Sequence, residues 1–494
     1  MAQMTEWVTC MIQTILPKDE NVIQDGQVGC ALEVSSDDFR YLSVGLPPEI
    51  ARLKAAGYLD RAIESCNRLL MQDPPHALAA CLRAERYRMQ ELPKQFCVSR
   101  NAAIATIQRE WPSFTEADFE RLIRHKRIDW RFINGELHVL DNFLDSLRVY
   151  PKEVPGLTPE PIRDNTTRDR MLAAMRSDGG ACCEITLASA ISIPGARTGE
   201  VVSAWLPLAS SCYQQSDIEI LEASPRAFVA PDVAPARTVH WESDTERDFS
   251  ITYRYRATVP YTDIYAGEFP RYPDRSTPVP SDTAPMPPHI VFTPYLQGLT
   301  ACIVKDCTDD LDRARVIYDY ITKNVDYRYQ PAYVQLDSIA NDCMQSLRGD
   351  CGVMTLAFIA MCRIAGIPAR WESGLYVAPD HVGPHDWARF YTSQTGWLWA
   401  DCSFGSSARR LGEEARRRHY FGNLDPWRMV ANRAFEADFT PLDSGVREDP
   451  YDNQMGEANV DGRGCREYEM RRCVSLIKMI DIPFREKTAK PVVH

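Results

Sequence analysis

Asp350-Cys351-Gly352 opens an apolar run that continues to Ala365 and stops at Gly366-Ile367-Pro368, and no other stretch constrains the fold of this chain as tightly. Gly352 to Ala365 is apolar nearly all round, so a helix here has no polar face to offer water and has to be buried. Gly366 supplies a left-handed C-cap, and Pro368 prevents continuation. Cys351 then falls in the first turn, where unpaired N–H groups carry positive partial charge and favour an anion.

Beyond Pro368 the pattern becomes that of short strands. Asp386 to Tyr391 and Trp397 to Asp401 flank Thr392-Ser393-Gln394-Thr395-Gly396, a short polar loop closed by glycine. A hairpin symmetric about Gln394 sets position 387 opposite 401 and position 385 opposite 403. His385 and Asp401 then share one face as diagonal neighbours, roughly 7–8 Å apart at the backbone. A slip of one residue would put them on opposite faces. Cysteine, histidine and aspartate in this order read as a thiol nucleophile, its base and the group that orients the base. Asp386 is a competing orienter, but as the next residue on the strand it points to the other face; Asp380 is a further alternative. The helix N-terminus and a neighbouring imidazolium are both expected to lower the Cys351 pKa.

These blocks, Gly349-Asp350-Cys351, Gly366-Ile367-Pro368-Ala369-Arg370, His385-Asp386-Trp387 and Trp397-Leu398-Trp399-Ala400-Asp401, resemble the ordered motifs of the transglutaminase-like superfamily, a papain-like thiol group. The resemblance implies Cys351 as nucleophile, His385 as base and acid, and Asp401 as its orienter, in acyl transfer through a thioester. Hydrolysis, as in a cysteine peptidase or amidase, is the expected outcome. Protein-glutamine transglutaminase activity with a primary amine as acceptor is the alternative, and a non-enzymatic adaptor built on an inherited fold is a third reading. For a second oxyanion donor, Gln345 stands at the spacing papain-like proteases use, whereas transglutaminases resemble one another in an aromatic donor further upstream, for which Tyr327 or Tyr329 qualifies. Trp387 and Tyr329 are candidates for the substrate groove.

Cys343, Cys351, Cys362, His381, His385 and Cys402 lie close together, and His381 with His385 has a zinc-like spacing. No C-x₂₋₄-C pair accompanies them, and Pro384 opposes a helix through both histidines. No metal and no cofactor is assigned; the absence of a D-x-[DN]-x-[DN]-G loop leaves calcium unimplied.

With 494 residues the chain exceeds one catalytic unit. The expected fold class is α+β: a transglutaminase-like catalytic domain at 295–440, preceded by a mostly helical N-terminal domain (1–150), a linker (151–180), an antiparallel β-sandwich (181–265) and a Pro-rich connector (266–294), and followed by a wrapping segment with a charged helix near Cys465–Ile480 (441–494). Helical patterns run from Pro47 to Pro93 and from Thr115 to Ile128. Asn134-Gly135 marks a hairpin between Trp130–Ile133 and Glu136–Val139. Residues 181–262 alternate with period 2. Asp309 to Val325 reads as an amphipathic helix packing beside the Cys351 helix.

A net charge of −12 argues against a nucleic-acid partner, and no apolar run reaches membrane-spanning length. The start MAQMTEWVTC lacks the marks of a signal peptide, and the 16 cysteines are scattered, as in a reducing compartment. A cytoplasmic location and a protein or peptide substrate are expected. Oligomeric state is not assigned.

Overall fold

The structure is a computed structural model that describes residues 33–484 apart from 272 and 444. The apolar run folds as the helix Cys351–Ile364, and Gly352 to Cys362 are all buried. Asp350 is its N-cap, with Oδ1 accepting the Val353 N–H at 3.0 Å. Gly366 takes φ 81°, and the Ile367 N–H reaches back to the Cys362 carbonyl at 2.9 Å. Leu356, Phe358 and Ile359 meet Phe390 and Leu398 from a sheet on one side and Ile317, Tyr318 and Ile321 from the helix Asp310–Asn324 on another, forming a single core. Each such side chain gains about 1.5–3 kcal/mol on burial, which fixes the Cys351 end of the helix in place.

The sheet has five antiparallel strands in the order Phe421–Gly422, Gly396–Ala400, His381–Thr392, Ala369–Ala378, Arg428–Asn432. The hairpin pairs Ala388 with Ala400 and Thr392 with Gly396, the register centred on Gln394. The strand Gly396–Ala400 ends beside Ala388, so residues 381–387 have a partner on one edge only, and His385 sits on the open stretch. On the other side, Gly374 lies so close to the strand Arg428–Asn432 that a Cβ there would stand 2.0 Å from the Met429 carbonyl oxygen. The same pairing sets Arg428 opposite Tyr376.

Ahead of the site lie the helices Pro48–Ala55, Leu59–Leu70, His76–Gln95, Arg100–Gln108 and Glu116–Arg124. The last stops short of Ile128 because Lys126 turns to φ 54°. Trp130–Ile133 and Glu136–Val139 pair through Asn134 and Gly135, both at positive φ. Residues 180–260 supply strands to two sheets, one of four strands and one of five, whose inward side chains share one core.

Two expectations are corrected. Residues 471–482 form a strand, Arg471–Ile482, and no helix; it pairs antiparallel with Gly180–Ser192 along its whole length. A register shift between Leu476 and Lys478 interrupts its alternation, which hides the period-2 signal, while β-branched Val474, Ile477, Ile480 and Ile482 suit a strand. The strand Glu457–Val460 likewise joins Val202–Pro207, so the chain returns from the five-stranded sheet that carries His385 to the β layers and 449–457 is the crossing segment. The Pro-rich stretch, expected as an extended, semi-rigid connector, is tied to the sheet: Asp274 holds Arg389 at 2.6 Å and its carbonyl takes the Trp397 N–H, while Asp282 grips Arg370 through two 2.8 Å bonds.

Gly374→Ala is expected to cost more than about 2 kcal/mol in urea unfolding, because only backbone could give way. Gly195→Ala, with open space around its Cβ position, should change stability by less than about 0.5 kcal/mol.

Candidate active site

His385 Nε2 lies 2.7 Å from Asp401 Oδ2, as the hairpin register requires. Asp401 caps the helix Cys402–Arg410, and its Oδ1 accepts the Phe404 N–H at 2.9 Å and the Ser403 hydroxyl at 3.0 Å. Its Oδ2 also accepts from a charged donor, Arg428 Nη1, at 2.8 Å. Burial alone would raise the Asp401 pKa, but His385 and Arg428 hold it well below the usual carboxylate range. An ionised carboxylate only accepts, so His385 Nε2 carries the proton and donates, leaving Nδ1 as the acceptor of a neutral ring. Burial lowers the His385 pKa, with Asp401 opposing and Arg428 adding to the fall.

Arg428 is the residue sequence reasoning missed. It is fully buried, reaches Asp425 Oδ2 through Nη2 at 3.0 Å, and lies against the rings of Phe404, Tyr376, Trp387 and Tyr420, at 4.4 Å from the Phe404 centroid. The spacing Asp425-x-x-Arg428 is visible in the sequence, but nothing local ties it to Asp401.

Cys351 occupies the first helical position and is half-buried. The short parallel pairing of Asp326–Tyr327 with Arg348–Gly349 sets Tyr327 opposite Gly349, just ahead of the thiol, so Tyr327 is the upstream aromatic brought to the site. The thiol faces the Asp386 carboxylate. Even-numbered positions 386, 388 and 390 lie on the face against which the Cys351 helix packs, and Asp386 Oδ2 sits 2.9 Å from where a Gly352 Cβ would be. Gln454, on the crossing segment, donates to Asp386 Oδ1 and to the His385 carbonyl. Behind them Tyr333 donates to Asp350 at 2.6 Å, and Asp452 accepts from Ser373 at 2.7 Å and Asn432 at 2.6 Å. Burial raises the Asp350 pKa to about 6 and the Asp452 pKa to about 7, and holds Asp386 well above its ordinary value, with Asp452 adding to the rise.

The expected activation of the thiol at rest is therefore overturned. Burial, Asp386 and Asp350 raise the Cys351 pKa well above that of a free thiol, against the lowering expected from the helix N-terminus. The opposing field comes from carboxylates that only the folded chain gathers around one thiol.

Gln345 is exposed at the end of the helix Ile339–Ser346, with its carbonyl taken by Lys126, and is not at the thiol; the tight turn at Leu347 (φ 56°) redirects the chain. Trp387 does not line a groove: it is fully buried, donates to Glu372 at 2.8 Å and packs behind His385 with Trp399 and Tyr420. Tyr329 lines a cleft of about 840 Å³ together with Tyr327, Tyr376, His385, Phe404 and Trp427. Cys343 and Cys402 are buried, and both are free thiols.

Residues 297–402 match the family model described as the transglutaminase-like superfamily. Among solved structures, a candidate cysteine protease from Cytophaga hutchinsonii is 15% identical, with a TM-score of 0.38 over 62% of this chain and 94% of that one. The periplasmic domain of TgpA from Pseudomonas aeruginosa, bound to ethylmercury, is 13% identical, with a TM-score of 0.27 over 49% of this chain and 96% of that one. No curated protein matches the chain. No helix among the described residues is long and apolar enough to cross a membrane.

Arg428→Leu leaves Asp401 and Asp425 buried without their cation and should destabilise the fold by about 3–5 kcal/mol at pH 7. Because Asp401 is depressed in the fold, its contribution is present above the ordinary carboxylate pKa near 4 and is lost as pH falls further; the gap between variant and wild type should narrow in acid unfolding curves. Asp386→Asn removes the carboxylate facing the thiol, and the apparent pKa of Cys351 alkylation by iodoacetamide, followed against pH by mass spectrometry, should fall relative to wild type.

Proposed function

We propose that the chain is a thiol acyl-transfer enzyme in which Cys351, His385 and Asp401 form the catalytic group. The observation that carries this reading is the 2.7 Å His385–Asp401 bond, in a cleft that His385 lines together with Tyr327, the tyrosine set beside the Cys351 end of its helix. In this reading the Cys351 sulfur attacks the carbonyl carbon of a peptide or glutamine-type amide while its proton passes to His385 Nδ1, so no thiolate has to accumulate beforehand. Asp401 stabilises the imidazolium that forms, and Arg428 keeps Asp401 ionised. The developing oxyanion meets the Cys351 N–H, one of the helix amides left unpaired at a first turn, and the Tyr327 hydroxyl as second donor. Collapse breaks the C–N bond and His385 protonates the departing amine. Water, deprotonated by His385, then attacks the thioester, and the C–S bond breaks to return the thiol. Nothing in the cleft identifies a site for an amine acceptor, so hydrolysis is the reading preferred over cross-linking.

Adaptor function is the second reading, and one feature favours it: burial, with Asp386 and Asp350 close by, raises the thiol pKa. The two readings separate by turnover. The chain is incubated with a library of peptides, with and without a fluorescent primary amine, and products are read by mass spectrometry. Hydrolysed peptides that disappear in Cys351→Ala and fall by roughly 10²–10⁴-fold in His385→Ala are expected; incorporated amine would assign transamidation instead, and no Cys351-dependent product with either acceptor would leave the adaptor.

A further inference from the structure

One wall of the cleft is built by residues 159–168, outside the matched family core. Pro159 and Pro161 fix φ and lack donors, which keeps this wall extended and stiff, and it presents two arginines. Arg168 opens the helix Thr166–Asp178, and its guanidinium carbon stands 5.1 Å from the Phe404 ring centroid; Phe404 packs 4.5 Å from the His385 ring, centroid to centroid. One Arg168 N–H goes to Asn165 Oδ1, its Nε is buried without a partner, and it forms no ion pair among the described residues. Arg163 is exposed and acts electrostatically on both His381 and Tyr329, again with no ion pair among the described residues. Arg409 and Arg410 line the same cleft and direct N–H groups to the carbonyls of Lys323 and Val149, which satisfies hydrogen bonding and leaves the charge uncompensated.

Carboxylates are present too. Asp164 is turned to its own helix start, accepting from the Thr166 N–H and hydroxyl, and Asp326 lies 3.8 Å from Arg127; Glu160 and Asp380 are the others. In a chain of net charge −12, the cleft lining carries six lysine and arginine side chains against four aspartates and glutamates, a local excess of positive charge. Burial costs the Arg168 guanidinium hydration, Asp425 and Asp169 already act on its charge, and an anionic ligand in the cleft would add to them.

We propose that the cleft selects peptides bearing an acidic side chain next to the scissile amide, with Arg168 as the inner anchor and Arg163 as the clamp beside Tyr329. This rests on the reading of Cys351 as nucleophile. Specificity would then come from the segment between the helical and β layers rather than from the matched core.

The full chain is treated with three peptidyl vinyl sulfones that differ only in carrying Glu, Gln or Lys beside the reactive group, and the inactivation rate and labelled residue are measured. Labelling of Cys351 with the Glu probe at least about tenfold faster than the Lys probe is expected, with the preference shrinking in 0.5 M salt, an approximate working concentration at which exposed charges are screened. Arg168→Gln and Arg163→Gln should each bring the Glu-to-Gln ratio toward one. Cys351 labelled equally by all three probes, or fastest by the Lys probe, overturns the acidic selectivity and leaves the nucleophile intact. Cys351 labelled by none overturns the nucleophile and the selectivity with it. The wild-type ranking decides the question even if a variant fails to fold.

Discussion

A single buried guanidinium sets the conditions for the rest of the site. Arg428 has no access to water, and its charge is balanced by Asp401 and Asp425 and faced by four aromatic rings. Burying such a group is costly unless its partners are held in place, so Tyr420, Trp427 and the cap of the Cys402–Arg410 helix are all organised around it. The consequence reaches His385: an Asp401 kept ionised fixes the imidazole tautomer, and Arg428 at the same time disfavours the imidazolium. Orientation and suppressed resting charge thus have one origin.

The local part of this arrangement was legible in the sequence. Gly366 and Pro368 bounded the Cys351 helix, and the loop around Gln394 set the register that joins His385 to Asp401. Both depend on residues within one supersecondary unit. Alternation also showed that Asp386 points away from the orienting aspartate. It did not show what lies on that opposite face, because the helix packed there is fixed by the core and not by the hairpin.

What remained illegible depends on contacts between distant segments. Arg428 reaches Asp401 only through the close approach at Gly374, Gln454 reaches Asp386 only because the chain crosses back to the β layers, and Arg471–Ile482 becomes a strand by pairing with Gly180–Ser192. The crossing segment matters for the site, since it braces the Asp386 carboxylate beside the Cys351 thiol. Cys351 is shaped by opposing influences: a helix N-terminus that favours its anion, and buried acids that disfavour it. Burial, with the acids adding to it, raises the thiol pKa here.

The central claim is that His385 rests as a neutral ring protonated at Nε2, bonded to an ionised Asp401, with Nδ1 free to take the thiol proton. Long-range ¹H–¹⁵N correlation spectra of ¹⁵N-histidine-labelled protein at neutral pH, assigned with His385→Gln, test it directly. The account predicts a protonated Nε2 and an unprotonated Nδ1 for His385. Two protonated nitrogens, the signature of a preformed thiolate–imidazolium pair, or a proton on Nδ1 alone, would contradict it.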